Sequence, residues 1–486
     1  MDLPFWVRLV ICLSVFVCTT ALFSVAAGTL NPTKINLINL TYYSYMVLTY
    51  AGSALVFLGF RGHYQMAKIH QDAVFVKGFG YVALLGLLFP LVVIVMRKFF
   101  DRLFRARPQD VYLQMPVERE DERDLAMWWM LLGIFALCLG TTALFYIRAH
   151  QIPLLPWFTG GASGTLRQVL GRTNYINPYL KTFFMLQFPA YLSFYSYVKA
   201  RKTKTWRWIG LFLAYFVLAV IGKTYDFQKA PVIVYFLCFF FLEMYIGKIR
   251  LGGILAAAAL AIGGIVGMYV FVFGFEGSLL DPYNGPLSRV LFSQVAGFFH
   301  TVNIFPSRFG FLRGESLPTI LANLFDVGTS WRRSADVVMQ LVNPFYVLRR
   351  TAGVMNSVFL AEAYANWAAP GVILGIVYVA TLFAGVQSWC FGERKSAGNL
   401  TLMTVFLWVF SMAFQGGFVD FLYNANLLVF IALMLIMNFV SGLFVRHLNT
   451  PAERRVEKQY VEKRRAEKSP PRDAPTTNAA SQNTAS

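Results

Sequence analysis

Long apolar runs recur along nearly the whole of this 486-residue chain, and they constrain its fold more than any other feature. Hydrophobic residues make up 57% of the sequence and charged residues only 14%, whereas about a quarter of a soluble domain is charged. Too few polar side chains are therefore present to cover a soluble globule of this size. The sequence predicts an all-α polytopic membrane protein rather than a soluble domain with one anchor.

A membrane-spanning helix needs about 20 consecutive apolar residues. By this measure we predict about eleven transmembrane helices, near residues 5–27, 38–59, 78–96, 126–146, 181–198, 207–222, 230–246, 251–273, 366–390, 400–418 and 424–445. The first run is long for a signal peptide and lacks a strongly basic start, so we interpret it as a retained helix. We predict a transmembrane domain over residues 1–446 and a basic, largely disordered cytoplasmic tail over 447–486.

Basic residues between the spans predict the orientation. The stretch Lys199–Arg207 carries five Lys and Arg and no acid, and the tail is basic as well. Because cytoplasmic loops are enriched in Lys and Arg, we expect both segments to be cytoplasmic. The connections 147–180 and 274–365 then lie outside, as does the N-terminus. The net charge of +19 is thus explained by membrane orientation, and we predict no nucleic-acid partner.

The long outer connection, 274–365, contains seven Arg and no Lys. Arg binds carboxylate or phosphate through a fork of paired donors, whereas Lys is a mobile point charge. The connection therefore suits an anionic lipid or polyprenyl-phosphate ligand, and simple contact with lipid headgroups is the alternative. The candidate anion-binding residues are Arg289, Arg308, Arg313, Arg332 and Arg349.

One helix within this connection is predicted between Asn284 and Pro306. Its polar and small side chains recur at helical spacing on one face, at Arg289, Ser293, Ala296, His300 and Asn303. This face is either the wet side of an interfacial helix or the lining of a cleft. In the second case Arg289 binds an anion, and His300 is a candidate catalytic residue unless it is a hydrogen-bonded bystander.

Glu362 is the second candidate catalytic residue, because it is the single charge in a long uncharged stretch at a membrane edge. A lone carboxylate there is expensive and marks a functional site by default. Asn366 lies four residues further on and shares its helical face. The sequence predicts either a general base at Glu362 or a structural ion pair with one of the arginines.

Three further basic residues are candidates for substrate binding. Lys229 follows a short polar turn between two spans, and Arg167 and Arg172 follow the glycine-rich stretch 160–164. This stretch lacks the GK[ST] ending of a nucleotide-binding loop. The five cysteines are isolated, and neither HExxH nor DxD occurs, so we predict no metal and no cofactor.

The chain resembles the bacterial oligosaccharide repeat unit polymerases, the O-antigen polymerase (Wzy-type) family. The resemblance rests on Lys229-Ala230-Pro231 at a helix start, the long outer connection opening with Arg289, and the run from Glu362 to Asn366 before a span. With the span pattern it covers most of residues 1–446. Phe311-Leu312-Arg313-Gly314 and Trp367-Ala368-Ala369-Pro370-Gly371 depart from the expected glycine patterns.

This resemblance implies a GT-C-like glycosyltransferase of the bacterial inner membrane, with its active site facing the periplasm. The donor would be a glycan on undecaprenyl pyrophosphate and the acceptor a single repeat unit on the same carrier, and the product a surface polysaccharide. Membrane lipid, a chain-length regulator and a flippase are the implied partners. An already activated donor needs neither ATP nor a nucleotide sugar.

Two other functions remain open on the sequence. An O-antigen ligase would transfer the same donor to lipid A–core, and its relatives use a His and an Arg in the long outer loop, an option that His300 keeps open. A lipid-linked oligosaccharide flippase or other transporter is the alternative of a different class. Against a transporter stand the lack of an internal repeat and the Arg-bearing outer connection.

Overall fold

The computed structural model describes residues 3–118, 124–149, 173–226, 229–247, 283–318, 332–349, 353–355, 357–422 and 425–448, with isolated positions between 252 and 281. Within these residues the chain is helical and contains no strand. Among the described residues, six helices are long and apolar enough to cross a membrane, which makes this a multi-pass membrane protein: Phe5–Ala27, Asp72–Leu103, Asp124–Ala149, Trp206–Thr224, Leu360–Gly392 and Ala397–Phe414.

We number the helices in chain order. The first half contains α1 (Phe5–Ala27), α2 (Leu37–Leu58, with a π turn at Met46–Tyr50), α3 (Asp72–Leu103), α4 (Gln109–Gln114), α5 (Asp124–Ala149), α6 (Pro178–Thr203, with a π turn at Lys181–Gln187), α7 (Trp206–Thr224) and α8 (Lys229–Ile246). The second half contains α9 (Pro286–Ile304, with a π turn at Arg289–Ser293), α10 (Ser334–Val342), α11 (Pro344–Leu348), α12 (Leu360–Gly392), α13 (Ala397–Ser411), α14 (Phe418–Phe421) and α15 (Ala425–Leu448).

The observed helices overlap the predicted spans but are often longer. The span predicted near 78–96 is the central part of α3, whose helix continues into charged turns at both ends. The span predicted near 366–390 begins earlier, at Leu360, and so contains Glu362. The predicted span near 251–273 lies almost entirely outside the described residues, as does the tail after Leu448. Hydrophobicity locates the membrane-embedded part of a helix but not its polar ends.

One end of the bundle is held together by Arg8, Arg61 and Asp72. The Arg8 guanidinium donates to the Asp72 carboxylate at 2.9 Å and to the Phe57 carbonyl at 2.8 Å, and Arg61 pairs with the same carboxylate. These contacts join the start of α1, the end of α2 and the start of α3. We call this the upper end.

The opposite, lower end carries its own polar contacts. Lys395 donates to the carbonyls of Leu113 and Met115 at 2.9 and 2.8 Å, and Lys199 pairs with Asp124 at 2.6 Å. The start of α5, the end of α6 and the α12–α13 connection therefore lie at one end. Successive long helices consequently run in opposite directions between the two ends.

Helix α9 packs on the upper end, against α2 and α3. Backbones approach so closely that a Cβ on Gly52 would lie 1.6 Å from the Leu291 carbonyl oxygen, and one on Gly78 would lie 2.5 Å from the Phe299 ring. Residues 63–68, before α3, cover its other side through contacts with Ser293 and His300. The arginine-rich connection is thus anchored to the bundle by a buried helix.

Because the upper and lower ends lie on opposite sides of the membrane, a cysteine at each end should react with an impermeant reagent from a different side. Ser307 lies exposed after α9 at the upper end, and Thr205 lies exposed between α6 and α7 at the lower end. With exposed Cys18 replaced by Ala, we expect a membrane-impermeant maleimide to label Ser307→Cys and Thr205→Cys from opposite sides of sealed vesicles. Labelling of both from the same side would contradict this arrangement.

Candidate functional site

A cavity of about 360 Å³ opens at the upper end, between α10, the first turns of α12 and the connection from α13 to α14. Three of its lining residues carry charge, namely Glu362, Arg333 and Asp420. Ser334, Ser357 and Gln415 add polar groups, and two consecutive glycines, Gly416 and Gly417, form part of the wall. The cavity is therefore a polar site at the end of an apolar bundle.

Glu362 projects from the first turn of α12 and is only 4% exposed. Its Oε2 accepts the backbone N–H of Phe418 at 2.7 Å, and the Ser316 hydroxyl is a second hydrogen-bond partner. Two donors aimed at one buried side chain satisfy the hydrogen-bonding capacity of its oxygens. The structure thus places a predicted catalytic residue in the wall of a cavity with its carboxylate supported.

A break in α12 separates Glu362 from the rest of the helix. Trp367 has φ −139° and ψ 25°, and Ala368 has φ 53° and ψ −139°, which a non-glycine residue rarely adopts. Beyond the break, a Cβ on Gly371 would lie 2.3 Å from the Ala363 carbonyl oxygen, so the two segments approach closely. The short first segment can therefore present Glu362 to the cavity independently of the long helix.

Asn366 ends this first segment and holds a neighbouring loop in place. Its Oδ1 accepts the Gly314 backbone N–H at 2.8 Å, and its Nδ2 donates to the Ser316 hydroxyl at 2.7 Å. Ser316 in turn contacts the Glu362 carboxylate. The structure therefore gives Asn366 a positioning contact to the catalytic candidate, and Asn366 does not line the cavity.

The glycine pair before α14 lets both carboxylates approach the backbone. A Cβ on Gly417 would lie 1.8 Å from Glu362 Oε2, and a Cβ on Gly416 would lie 2.3 Å from Asp420 Oδ2. The backbone N–H of Gly417 donates to that Asp420 oxygen at 2.8 Å. Any side chain at either position would meet a carboxylate oxygen, so a substitution there must displace Glu362 or Asp420 from its present position.

Arg333 and Asp420 form an ion pair across the cavity lining, with 2.6 Å between Nη2 and Oδ2. The Arg333 side chain remains 19% exposed and that of Asp420 35%, so both still reach solvent. A second, larger cavity of about 810 Å³ shares Arg333 and Val354 with the first and adds Arg332, Asp336 and Gln340. Arg333 therefore stands at the boundary of two adjoining polar cavities.

Both Arg332 and Arg333 line the larger cavity although they are adjacent in sequence. They precede α10, and Arg333 has the extended φ of −75° and ψ of 135° of a residue that caps a helix. A regular helix would direct neighbouring side chains to different faces, but this segment is not yet helical. Among the arginines predicted to bind an anion, Arg332 lines the larger cavity.

The other predicted anion-binding residues lie elsewhere. Arg289, Arg308, Arg313 and Arg349 are exposed and line neither cavity, and Arg349 stacks on the Phe345 ring with its Cζ at 4.0 Å from the centroid. Lys229 begins α8, but its side chain is not among those described, and Arg167 and Arg172 lie outside the described residues. The helix face led by Arg289 consequently does not form a described anion site.

His300 is buried, at 2% exposure, and its Nε2 lies 3.0 Å from the Gln65 carbonyl oxygen, to which it donates. Burial lowers the pKa of this imidazole to about 4, so it is neutral at physiological pH. The helix face predicted to line a cleft instead contacts residues 63–68 through Ser293 and His300. Ala296, which lies on the same face, is fully buried. The structure favours the hydrogen-bonded bystander, because His300 is absent from the lining of either cavity.

Sequence reasoning did not single out Arg333, Asp420 or the Gly416–Gly417 pair. A signal for Asp420 was present, since it is the single acid between Arg394 and Thr450, which is the argument that identified Glu362. The pairing of Arg333 with Asp420 joins residues 87 positions apart. No local pattern predicts such a contact.

The charged side chains that line the cavity are two carboxylates and one guanidinium. Within the described ranges no three His, Cys, Asp or Glu side chains are grouped so as to hold a metal ion. No protein-family model, curated protein or solved structure matches this chain. The inference of function therefore rests on the arrangement of Glu362, Arg333 and Asp420.

We expect Gly417→Ala to distort this site, because its new Cβ would lie 1.8 Å from Glu362 Oε2. Overpacking of this kind typically costs about 1–3 kcal/mol. Thermal unfolding of the purified protein in detergent measures it, and we expect a lower unfolding temperature. Gly310→Ala is the matched control, since nothing lies within 4 Å of its Cβ. Equal unfolding temperatures for the two variants would show that the wall is not tightly packed against Glu362.

Proposed function

We propose that the protein is a membrane glycosyltransferase that polymerises undecaprenyl-pyrophosphate-linked repeat units into a surface polysaccharide. One observation carries the proposal. A buried, hydrogen-bonded carboxylate, Glu362, and a fork-shaped cation, Arg333, line the same cavity at one end of a membrane bundle. Transfer from an activated donor needs these two groups, a proton acceptor and a stabiliser of the anionic leaving group.

In the proposed reaction, a hydroxyl on the terminal sugar of the acceptor attacks the anomeric carbon of the donor. The bond from that carbon to the pyrophosphate oxygen breaks, and undecaprenyl pyrophosphate leaves with the electron pair. Glu362 accepts the hydroxyl proton, and the Arg333 guanidinium stabilises the charge that develops on the pyrophosphate. Asp420 orients Arg333 through their ion pair.

The proposed topology has eleven spans and the GT-C-like arrangement. Helix α8 ends at the lower end, where Glu243 pairs with Arg201, and α9 lies at the upper end, which is consistent with the span predicted near 251–273. The basic stretch Lys199–Arg207 lies at the lower end. By the positive-inside rule we propose that the lower end is cytoplasmic and that the cavity faces the periplasm from the inner membrane.

The ligase and the transporter are the competing proposals. A ligase would use the same donor and the same cavity as a polymerase. The two enzymes are distinguished by the form of lipid A–core that accumulates when the gene is deleted. Loss of a polymerase leaves core capped with a single repeat, and loss of a ligase leaves uncapped core. A transporter would move lipid-linked units without extending them, and the placement of Glu362 and Arg333 in one cavity favours transfer chemistry.

We expect Glu362→Gln to lower chain growth by at least about two orders of magnitude. The amide keeps the size of the side chain but removes the proton acceptor. Polymerisation of purified lipid-linked repeat units measures the effect, with equal amounts of folded protein. Glu393→Gln, at an exposed position of the lower end, is the control and should retain full activity. Chains of normal length from Glu362→Gln would remove Glu362 from the reaction.

We expect Arg333→Lys to impair transfer by about 10²–10³-fold, because an ammonium keeps the charge but loses the fork that contacts both Asp420 and the pyrophosphate. Arg308→Lys is the matched control, since Arg308 is exposed and lines neither cavity. The same polymerisation assay distinguishes them. Equal activity of both variants would mean that the leaving group is held elsewhere.

A further inference from the structure

The lower half of α3 carries an exposed groove that the proposed reaction does not use. The groove encloses about 560 Å³ along Val95, Lys98, Phe99, Arg102 and Leu103. These residues recur at spacings of three and four, so they lie on one face of the helix. The three apolar members are 62%, 60% and 59% exposed, which places this face outside the helix bundle.

Neither Lys98 nor Arg102 has a carboxylate at ion-pair distance within the described part of the chain. The nearest acid in sequence, Asp101, instead faces Arg97 at 3.8 Å and accepts a hydrogen bond from Ser388 at 2.6 Å. The groove therefore combines an apolar ridge with two basic side chains that form no ion pair among the described residues.

The level of the groove in the membrane indicates which kind of ligand it can bind. Helix α3 is one of the six long apolar helices, and Lys98 and Arg102 lie in its last two turns, where an apolar span meets the headgroup region. Basic side chains at that level attract anionic lipid headgroups. Val95 lies about one turn above Lys98, on the side of the apolar span, and it is covered by hydrocarbon when the helix is embedded in a bilayer. Phe99 and Leu103 lie at the level of the basic pair.

We propose that this groove is a binding site for one anionic glycerophospholipid. The phosphate lies between Lys98 and Arg102, and an acyl chain runs past Phe99 and along Val95 toward the apolar span. Charge complementarity selects the headgroup, and the ridge selects a lipid over a soluble anion. The proposal stands independently of the glycosyltransferase function, because it uses none of the cavity residues at the upper end.

Native mass spectrometry of the full chain in detergent tests the site, with phosphatidylglycerol as the probe. Each basic side chain near an anionic headgroup contributes about fivefold in affinity, so Lys98→Gln with Arg102→Gln is expected to weaken binding about 30-fold. The control pair, Lys204→Gln with Arg207→Gln, removes two exposed charges from the same end without touching the groove. It should bind as the wild type does.

Two further probes separate the headgroup from the acyl chain. Phosphatidylcholine with the same acyl chains should bind at least tenfold more weakly, and inorganic phosphate should not compete. Lys98→Arg retains the charge and should retain binding, which distinguishes lost charge from a misfolded groove. Unchanged binding in the double variant, equal binding of the two lipids, or competition by inorganic phosphate would each overturn the proposal.

Discussion

A carboxylate buried at the end of an apolar bundle must be supplied with hydrogen-bond donors, and much of the upper end of this structure meets that requirement. Glu362 receives the Phe418 N–H because Gly417 leaves room for the oxygen. It contacts Ser316, whose loop is held by Asn366. Removing any of these supports leaves a buried polar group without its partner, which typically costs about 1–3 kcal/mol.

The ion pair of Arg333 with Asp420 extends this network to the second cavity. Arg333 comes from the segment before α10, Asp420 from α14, and Glu362 from the broken start of α12. Three separate elements thus converge on one cavity, and α9 anchors the first of them to the bundle. The long helices provide a rigid base, whereas the charged groups are carried by short helices and connections at its end.

The membrane-embedded parts of the fold could be predicted from the sequence, because a bilayer requires long apolar helices and these are visible as apolar runs. Glu362 could be predicted for the related reason that a lone charge among apolar residues is expensive. The role of the α9 face could not, since periodicity shows that His300 and Ser293 share a side but not that residues 63–68 cover it. Arg333 and Asp420 meet only through tertiary packing.

The most direct measurement of the central claim is a cryo-electron microscopy structure of the Glu362→Gln variant with a lipid-linked repeat unit. We expect pyrophosphate density beside Arg333 and a sugar ring beside residue 362, within the cavity between α10, α12 and α14. Pyrophosphate density on Arg289 or around His300, with the cavity empty, would contradict it.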